Sequence, residues 1–122
     1  MRALVVDDSR AMRMLLKTIL KAEGFETVEA GHGGEGLERL KETAAMNVAL
    51  VDWNMPEMNG LEFVKAVRST SAYDDMRIVM VTTEAELPKM AEALESGANE
   101  YLMKPFTKEA LHDKLVMVGV VS

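Results

Sequence analysis

The stretch LVVDDSR, Leu4 to Arg10, runs straight from apolar residues into two adjacent like charges. Ala3 to Val6 are apolar without alternation, the pattern of a strand covered on both faces. Asp7 and Asp8 then stand where the chain leaves that strand. A solvated turn would account for the pair taken alone, so the flanking sequence has to decide.

Working outward, short apolar or β-branched runs recur at Thr27–Ala30, Val48–Val51 and Ile78–Val81, with a weaker one at Tyr101–Met103. Helical spacing fills the intervals: Met12, Leu15, Leu16, Ile19 and Leu20 form one stripe, and Leu61, Phe63, Val64 and Val67 another. Gly24 fits a helix stop, Pro88 the first turn of a helix Pro88–Ser96 that Gly97 ends, and Thr107 a cap opening the last helix. The order βαβαβαβαβα predicts a single α/β domain over residues 1–122. It is a doubly wound (βα)5 fold of flavodoxin-like type, a five-stranded parallel sheet of order 2-1-3-4-5 with helices on both faces. Thr27–Ala30 is the most polar run and reads as an edge. Gly33, Gly34 and Gly36 predict a frayed second helix, because an interior glycine costs ~1 kcal/mol relative to alanine.

Composition narrows the function classes. The 122 residues are 48% hydrophobic and 28% charged, with a net charge of −6 and no cysteine. Disulfides, thiolate nucleophiles and cysteine-held metals are excluded, and an acidic chain is a poor partner for nucleic acid. No apolar run reaches the length of a membrane span, so no membrane insertion is expected. Met1 leads almost at once into strand-like sequence, which leaves no room for a signal peptide, and a cytoplasmic location is expected.

Open parallel sheets bind ligands at the carboxyl ends of their strands. The residues found there are Asp7 and Asp8, Asp52, Thr82 and Thr83, and Lys104. Carboxylates gathered on one rim repel, each pair costing roughly 4 kcal/mol at ~4 Å and an effective dielectric of ~20. A hard cation such as Mg²⁺ relieves that repulsion, and the lack of histidine at these positions argues against zinc. Carboxylates, an ammonium and a hydroxyl around Mg²⁺ suit phosphoryl transfer. Asp52, alone after a buried strand, is the candidate nucleophile; Lys104 would neutralise the phosphoryl group and Thr82 would donate a hydrogen bond to it.

VVDDSR (Val5–Arg10), LVDWNMPEMNG (Leu50–Gly60), VMVTTEA (Val79–Ala85) and YLMKPF (Tyr101–Phe106) together resemble the receiver domain of two-component response regulators. The likeness is greatest to the single-domain chemotaxis regulators of that family. It implies that Asp52 accepts a phosphoryl group from a histidine kinase, with Asp8, Asp52 and the Asn54 main-chain carbonyl ligating Mg²⁺ and Asp7 acting through water. It implies Thr82 and Tyr101 as a switch pair that reshapes the face of the fourth helix, fifth strand and fifth helix for a downstream protein partner, such as a flagellar-motor switch protein. It implies a cis Lys104–Pro105 bond, and a tuning of dephosphorylation by Asn54 and Glu84. Such a chain modifies only its own Asp52 and is not an enzyme with external turnover.

Three departures stand out. Thr83 is bulkier than the residue usual at its position, which bears on access to Asp52 and on hydrolysis. The glycine-rich second helix is the second. The tail VMVGVVS (Val116–Ser122) reads either as a partner surface or as the point where a longer regulator was cut. Each site residue also has an ordinary reading: Asp7-Asp8 as a turn, Asp52 as a cap, Lys104 as a solvated charge, Tyr101 as a core aromatic. Their shared placement outweighs these. His32 and His112 read as surface histidines without partners, and Trp53 as packing beside the phosphoacceptor. GHGGEG (Gly31–Gly36) fits the dinucleotide fingerprint in form, with Asp52 twenty-one residues after its first glycine. The edge-like strand before it and the unexplained Asp7, Asp8 and Lys104 rank a nucleotide-binding module below the receiver. A Mg²⁺-dependent phosphatase of small substrates is the other competitor.

Overall fold

A computed structural model describes residues 1–43 and 45–122. Strands and helices alternate: β1 (Arg2–Val6), α1 (Arg10–Ala22), β2 (Glu26–Ala30), α2 (Gly33–Glu42), β3 (Val48–Asp52), α3 (Gly60–Arg68), β4 (Arg77–Thr82), α4 (Met90–Glu95), β5 (Glu100–Met103) and α5 (Lys108–Met117). The five strands are parallel, in the order β2-β1-β3-β4-β5. The polar second strand is an edge, as its sequence suggested. The three apolar runs are the central strands β1, β3 and β4, buried on both faces.

Side chains alternate across the pleat, so each strand feeds two cores. Leu4, Val6, Ala49, Val51, Trp53, Ile78 and Met80 pack against Leu40, Phe63, Val64, Val67 and Ala93, which places α2, α3 and α4 on one face. Ala3, Val5, Val48, Leu50, Val79, Val81 and Leu102 pack against Leu16, Leu20, Leu111 and Leu115, which places α1 and α5 on the other. Caps fix where the helices begin. Ser9 Oγ accepts from Met12 N (3.2 Å) for α1, and Thr107 Oγ1 accepts from Ala110 N (3.0 Å) for α5. Asn59 and Glu62 form a reciprocal capping box on α3, at 2.9 and 3.0 Å.

Four expectations need correction. The second helix is not frayed: α2 spans ten residues, and its glycines serve close packing. A Cβ at Gly36 would lie 2.9 Å from Phe63 Cε1 and 3.2 Å from Val6 Cγ2, and one at Gly33 would lie 2.7 Å from Met58 Sδ. The propensity cost of glycine is therefore offset by burial that a larger residue would block. Pro88 does not open α4; it lies inside a 3₁₀ turn, Glu84–Lys89, and α4 starts two residues later. Leu15 falls off the buried stripe of α1 and is 47% exposed. The two histidines have partners: His32 Nδ1 accepts from Glu35 N (3.2 Å) as the cap of α2, and His112 Nδ1 meets the Glu23 carboxylate at 2.6 Å, clasping α5 to the end of α1.

Candidate functional site

The carboxyl rim of the sheet is where the chemistry-bearing residues meet. Register and pleat sort them between the faces. Asp52 pairs with Val81, on the α1/α5 side, whereas Thr82 lies one residue further on, toward α3 and α4. Asp7 amide N donates to Ala30 O (3.1 Å), and its Oδ1 accepts from Ser9 N (2.8 Å), so the turn into α1 holds its carboxylate inward. One carboxylate oxygen from each of Asp7, Asp8 and Asp52 lies within 4.8 Å of the others. Asp7 and Asp52 are buried, and Asp8 faces water.

Lys104 follows β5 and reaches this cluster. Its Nζ is 3.0 Å from Asp52 Oδ1 and 3.6 Å from Asp7 Oδ2. Its backbone N donates to Thr82 O (2.6 Å), and the Lys104–Pro105 bond is cis. Burial pushes the Asp52 carboxyl up to about 6, with the charges of Asp7 and Asp8 adding to the shift and the Lys104 hydrogen bond opposing it. Burial pulls Lys104 the other way, but the hydrogen bond to Asp52 and the charges of Asp52 and Asp7 outweigh it, so the ammonium is held above its ordinary value. One ammonium does not balance three carboxylates. Asp7 Oδ2 is buried without a hydrogen-bond donor, a costly position for a charged oxygen. The donor set is all oxygen and partly open to water, which fits a hard divalent cation that keeps part of its hydration shell.

Thr82 is buried, and no hydrogen bond joins its hydroxyl to Asp52. The hydroxyl lies 3.2 Å from Thr83 O and 3.4 Å from Oε1 of Glu86. Tyr101 pairs with Met80, which puts it on the same sheet face as Thr82; it is half-buried, with Lys114 Nζ 4.9 Å from its ring centroid. Asn54, Thr83 and Glu84 are exposed at the mouth of the rim. No donor among the described residues reaches the Asn54 carbonyl.

Several residues that shape the site were not apparent from the sequence. Arg13 Nη1 donates to the Asp7 carbonyl (2.7 Å), and its Nε bonds Glu29 Oε1 (2.9 Å). Lys17 and Arg13 together hold the Glu29 carboxyl below the usual carboxylate range. Gly60 opens α3 against the back of the site, where a Cβ would lie 3.0 Å from Asp52 O and 3.1 Å from Trp53 Cα. Glu57, between Asp52 and α3, has a φ of 68°, a left-handed conformation that costs a side-chain-bearing residue roughly 1–2 kcal/mol. Glu86 is the buried carboxylate on the Thr82 side. Its spacing from Thr83, Thr-x-x-Glu, is a capping signature that could have flagged it, though not its reach to Thr82.

The chain is similar to known proteins in sequence and in fold. Residues 3–116 match the family model described as response regulator receiver domain. The chain is 48% identical over 119 residues to the chemotaxis protein CheY1 of Helicobacter pylori, covering 97% of this chain and 96% of that protein. It is also 48% identical over 116 residues to a CheY homolog of Campylobacter jejuni, covering 94% and 89%. Among solved structures, the chemotaxis protein CheY4 of Vibrio cholerae superimposes with a TM-score of 0.88 at 40% identity, covering 96% of this chain and 97% of that one. By sequence and by fold, the chain belongs to the response regulator receiver domain family.

Proposed function

We propose that this chain is a phosphorylation-controlled switch of a two-component chemotaxis pathway. The observation that carries the reading is the convergence of three carboxylates within 4.8 Å of one another, with Lys104 Nζ 3.0 Å from Asp52. An Asp52 oxygen would bond to phosphorus as the bond from phosphorus to the donor, a kinase phosphohistidine, breaks. Lys104 would move from neutralising the carboxylate to neutralising the phosphoryl oxygens. Asp7, Asp8, Asp52 and the Asn54 carbonyl would hold Mg²⁺, which when bound supplies the positive charge that lets anionic donor and anionic acceptor approach. Asn54, Thr83 and Glu84, at the mouth, would govern access of water and so the rate of dephosphorylation.

Output would follow from Thr82 and Tyr101. Both lie toward the α4 side, and Tyr101 lines a groove of about 430 Å³ together with Met103, Phe106, Ala110 and Lys114. A change at Thr82 that draws the Tyr101 ring inward would alter this groove and its affinity for a protein partner, in the manner of a flagellar-motor switch protein. Among the described residues no helix is long and apolar enough to cross a membrane.

Intact mass after incubation with Mg²⁺ and acetyl phosphate tests the reading. The native chain should gain one phosphate, lose the gain when EDTA replaces Mg²⁺, and show none as Asp52→Asn. Turnover of external phosphate esters without a gain at Asp52 would instead indicate a phosphatase.

A further inference from the structure

Glu86 is 6% exposed, the only buried glutamate among the described residues, and the metal-site chemistry above makes no use of it. Its Oε1 accepts from Thr83 N at 3.1 Å and stands 3.4 Å from the Thr82 hydroxyl. Its Oε2 is buried without a donor. Glutamate is a costly choice merely to cap a 3₁₀ turn, because capping uses one oxygen and the other is desolvated with nothing in return.

We propose that Glu86 is a latch on the switch threonine: its buried carboxylate holds the Thr82 hydroxyl away from Asp52 until the site is phosphorylated. The inference rests on the switch reading above and adds a positioning residue to it. A hydroxyl carries one proton, so Thr82 cannot donate to Glu86 and to a phosphoryl group on Asp52 at the same time. The hydroxyl oxygen has two acceptors within reach, Thr83 O at 3.2 Å and Glu86 Oε1 at 3.4 Å, both on the side of the 3₁₀ turn. The contact to Glu86 is long for a hydrogen bond, and the orphaned Oε2 regains water once the turn releases it. The latch is therefore weak by construction, as a reversible switch requires. A phosphoryl group beyond Thr82 adds a second negative charge that competes for the same proton.

The test is the affinity of the Mg²⁺-loaded chain for beryllofluoride, a phosphoryl mimic, followed by Trp53 fluorescence. Glu86→Ala should bind it about fivefold more tightly than the native chain, and Glu86→Gln, which keeps a neutral acceptor of the same shape, about twofold. In a Thr82→Ala background the Glu86→Ala change should have no effect, since the latch has nothing to hold. Mg²⁺ affinity without beryllofluoride should be the same in all Glu86 variants. Unchanged or weaker binding by the Glu86 variants, or an equal gain in the Thr82→Ala background, would overturn the latch while leaving the switch standing. The Gln variant decides the matter should the Ala variant fail to fold. A native chain that binds no beryllofluoride and gains no phosphate would overturn both.

Discussion

At the amino ends of the strands, Arg68 donates to the carbonyls of Tyr73, Met76 and Gly97 and to Oδ1 of Asn99, at 2.6 to 3.0 Å. Asn99 also exchanges backbone and side-chain hydrogen bonds with Ile78, both at 2.8 Å, and Asn47 accepts from Arg2 and Arg77 at 2.9 and 3.0 Å. At the carboxyl ends, three carboxylates crowd together with Lys104 paired to only two of them, Asp52 and Asp7; a buried oxygen of Asp7 has no hydrogen-bond donor, and Glu57 holds a left-handed backbone. The amino rim meets the Arg68, Asn99 and Asn47 groups within the chain; the carboxyl rim leaves a carboxylate oxygen of Asp7 without a donor. On the function proposed above, stability and function occupy opposite ends of the same five strands, and a parallel sheet permits this because all its carboxyl ends face one way.

The contrast can be broken most severely at the amino rim. Arg68→Ala should cost about 2–4 kcal/mol of unfolding free energy in urea, since it strips donors from several turns at once, while Mg²⁺ affinity stays unchanged. Comparable loss of Mg²⁺ binding would mean that the two rims are not independent.

The pH dependence gives the next largest effect. In the metal-free chain the Asp52 carboxyl titrates at about 6, above the ordinary value of 3.8. A carboxyl raised in the folded state favours folding only while protonated. Its contribution is full below pH 3.8 and is lost as pH rises through about 6. Relative to Asp52→Asn, the native chain should therefore lose about 1–2 kcal/mol between pH 4 and pH 7, after allowance for solvent screening at the open rim. Urea unfolding of both chains across that range is the check, and a native chain that gains on the variant would reverse the sign.

The smallest effect sharpens the comparison. Glu57→Asn, better suited to the left-handed region, should raise stability by about 0.5–1 kcal/mol without altering the phosphate gain. Thermal unfolding with and without Mg²⁺ would show whether that strain belongs to the backbone alone.

Most of the architecture was legible because two local signals agree along the chain. Unalternating apolar runs marked β1, β3 and β4, and helical stripes filled the gaps with caps at Thr107 and stops at Gly24 and Gly97. The carboxylate cluster was legible through topology, since strand ends in this sheet order must converge. Contacts that depend on packing were not. Nothing local distinguishes a glycine that frays a helix from Gly36, which lets α2 lie against Phe63 and Val6. His112 reads as exposed until α5 is placed beside Glu23, and Glu86 as solvated until its turn folds over Thr82. Pro88 fits a helix start and a 3₁₀ turn equally well by spacing.

The central claim is that the carboxyl rim is held in a conflict that a cation relieves. Unfolding free energy at pH 7 with and without Mg²⁺, in the native chain and in Asp52→Asn, tests it most directly. The metal-free variant should be the more stable of the two by about 1–2 kcal/mol, and Mg²⁺ should stabilise the native chain more than the variant. Native stability indifferent to Mg²⁺, together with a variant no more stable than the native chain, would contradict it.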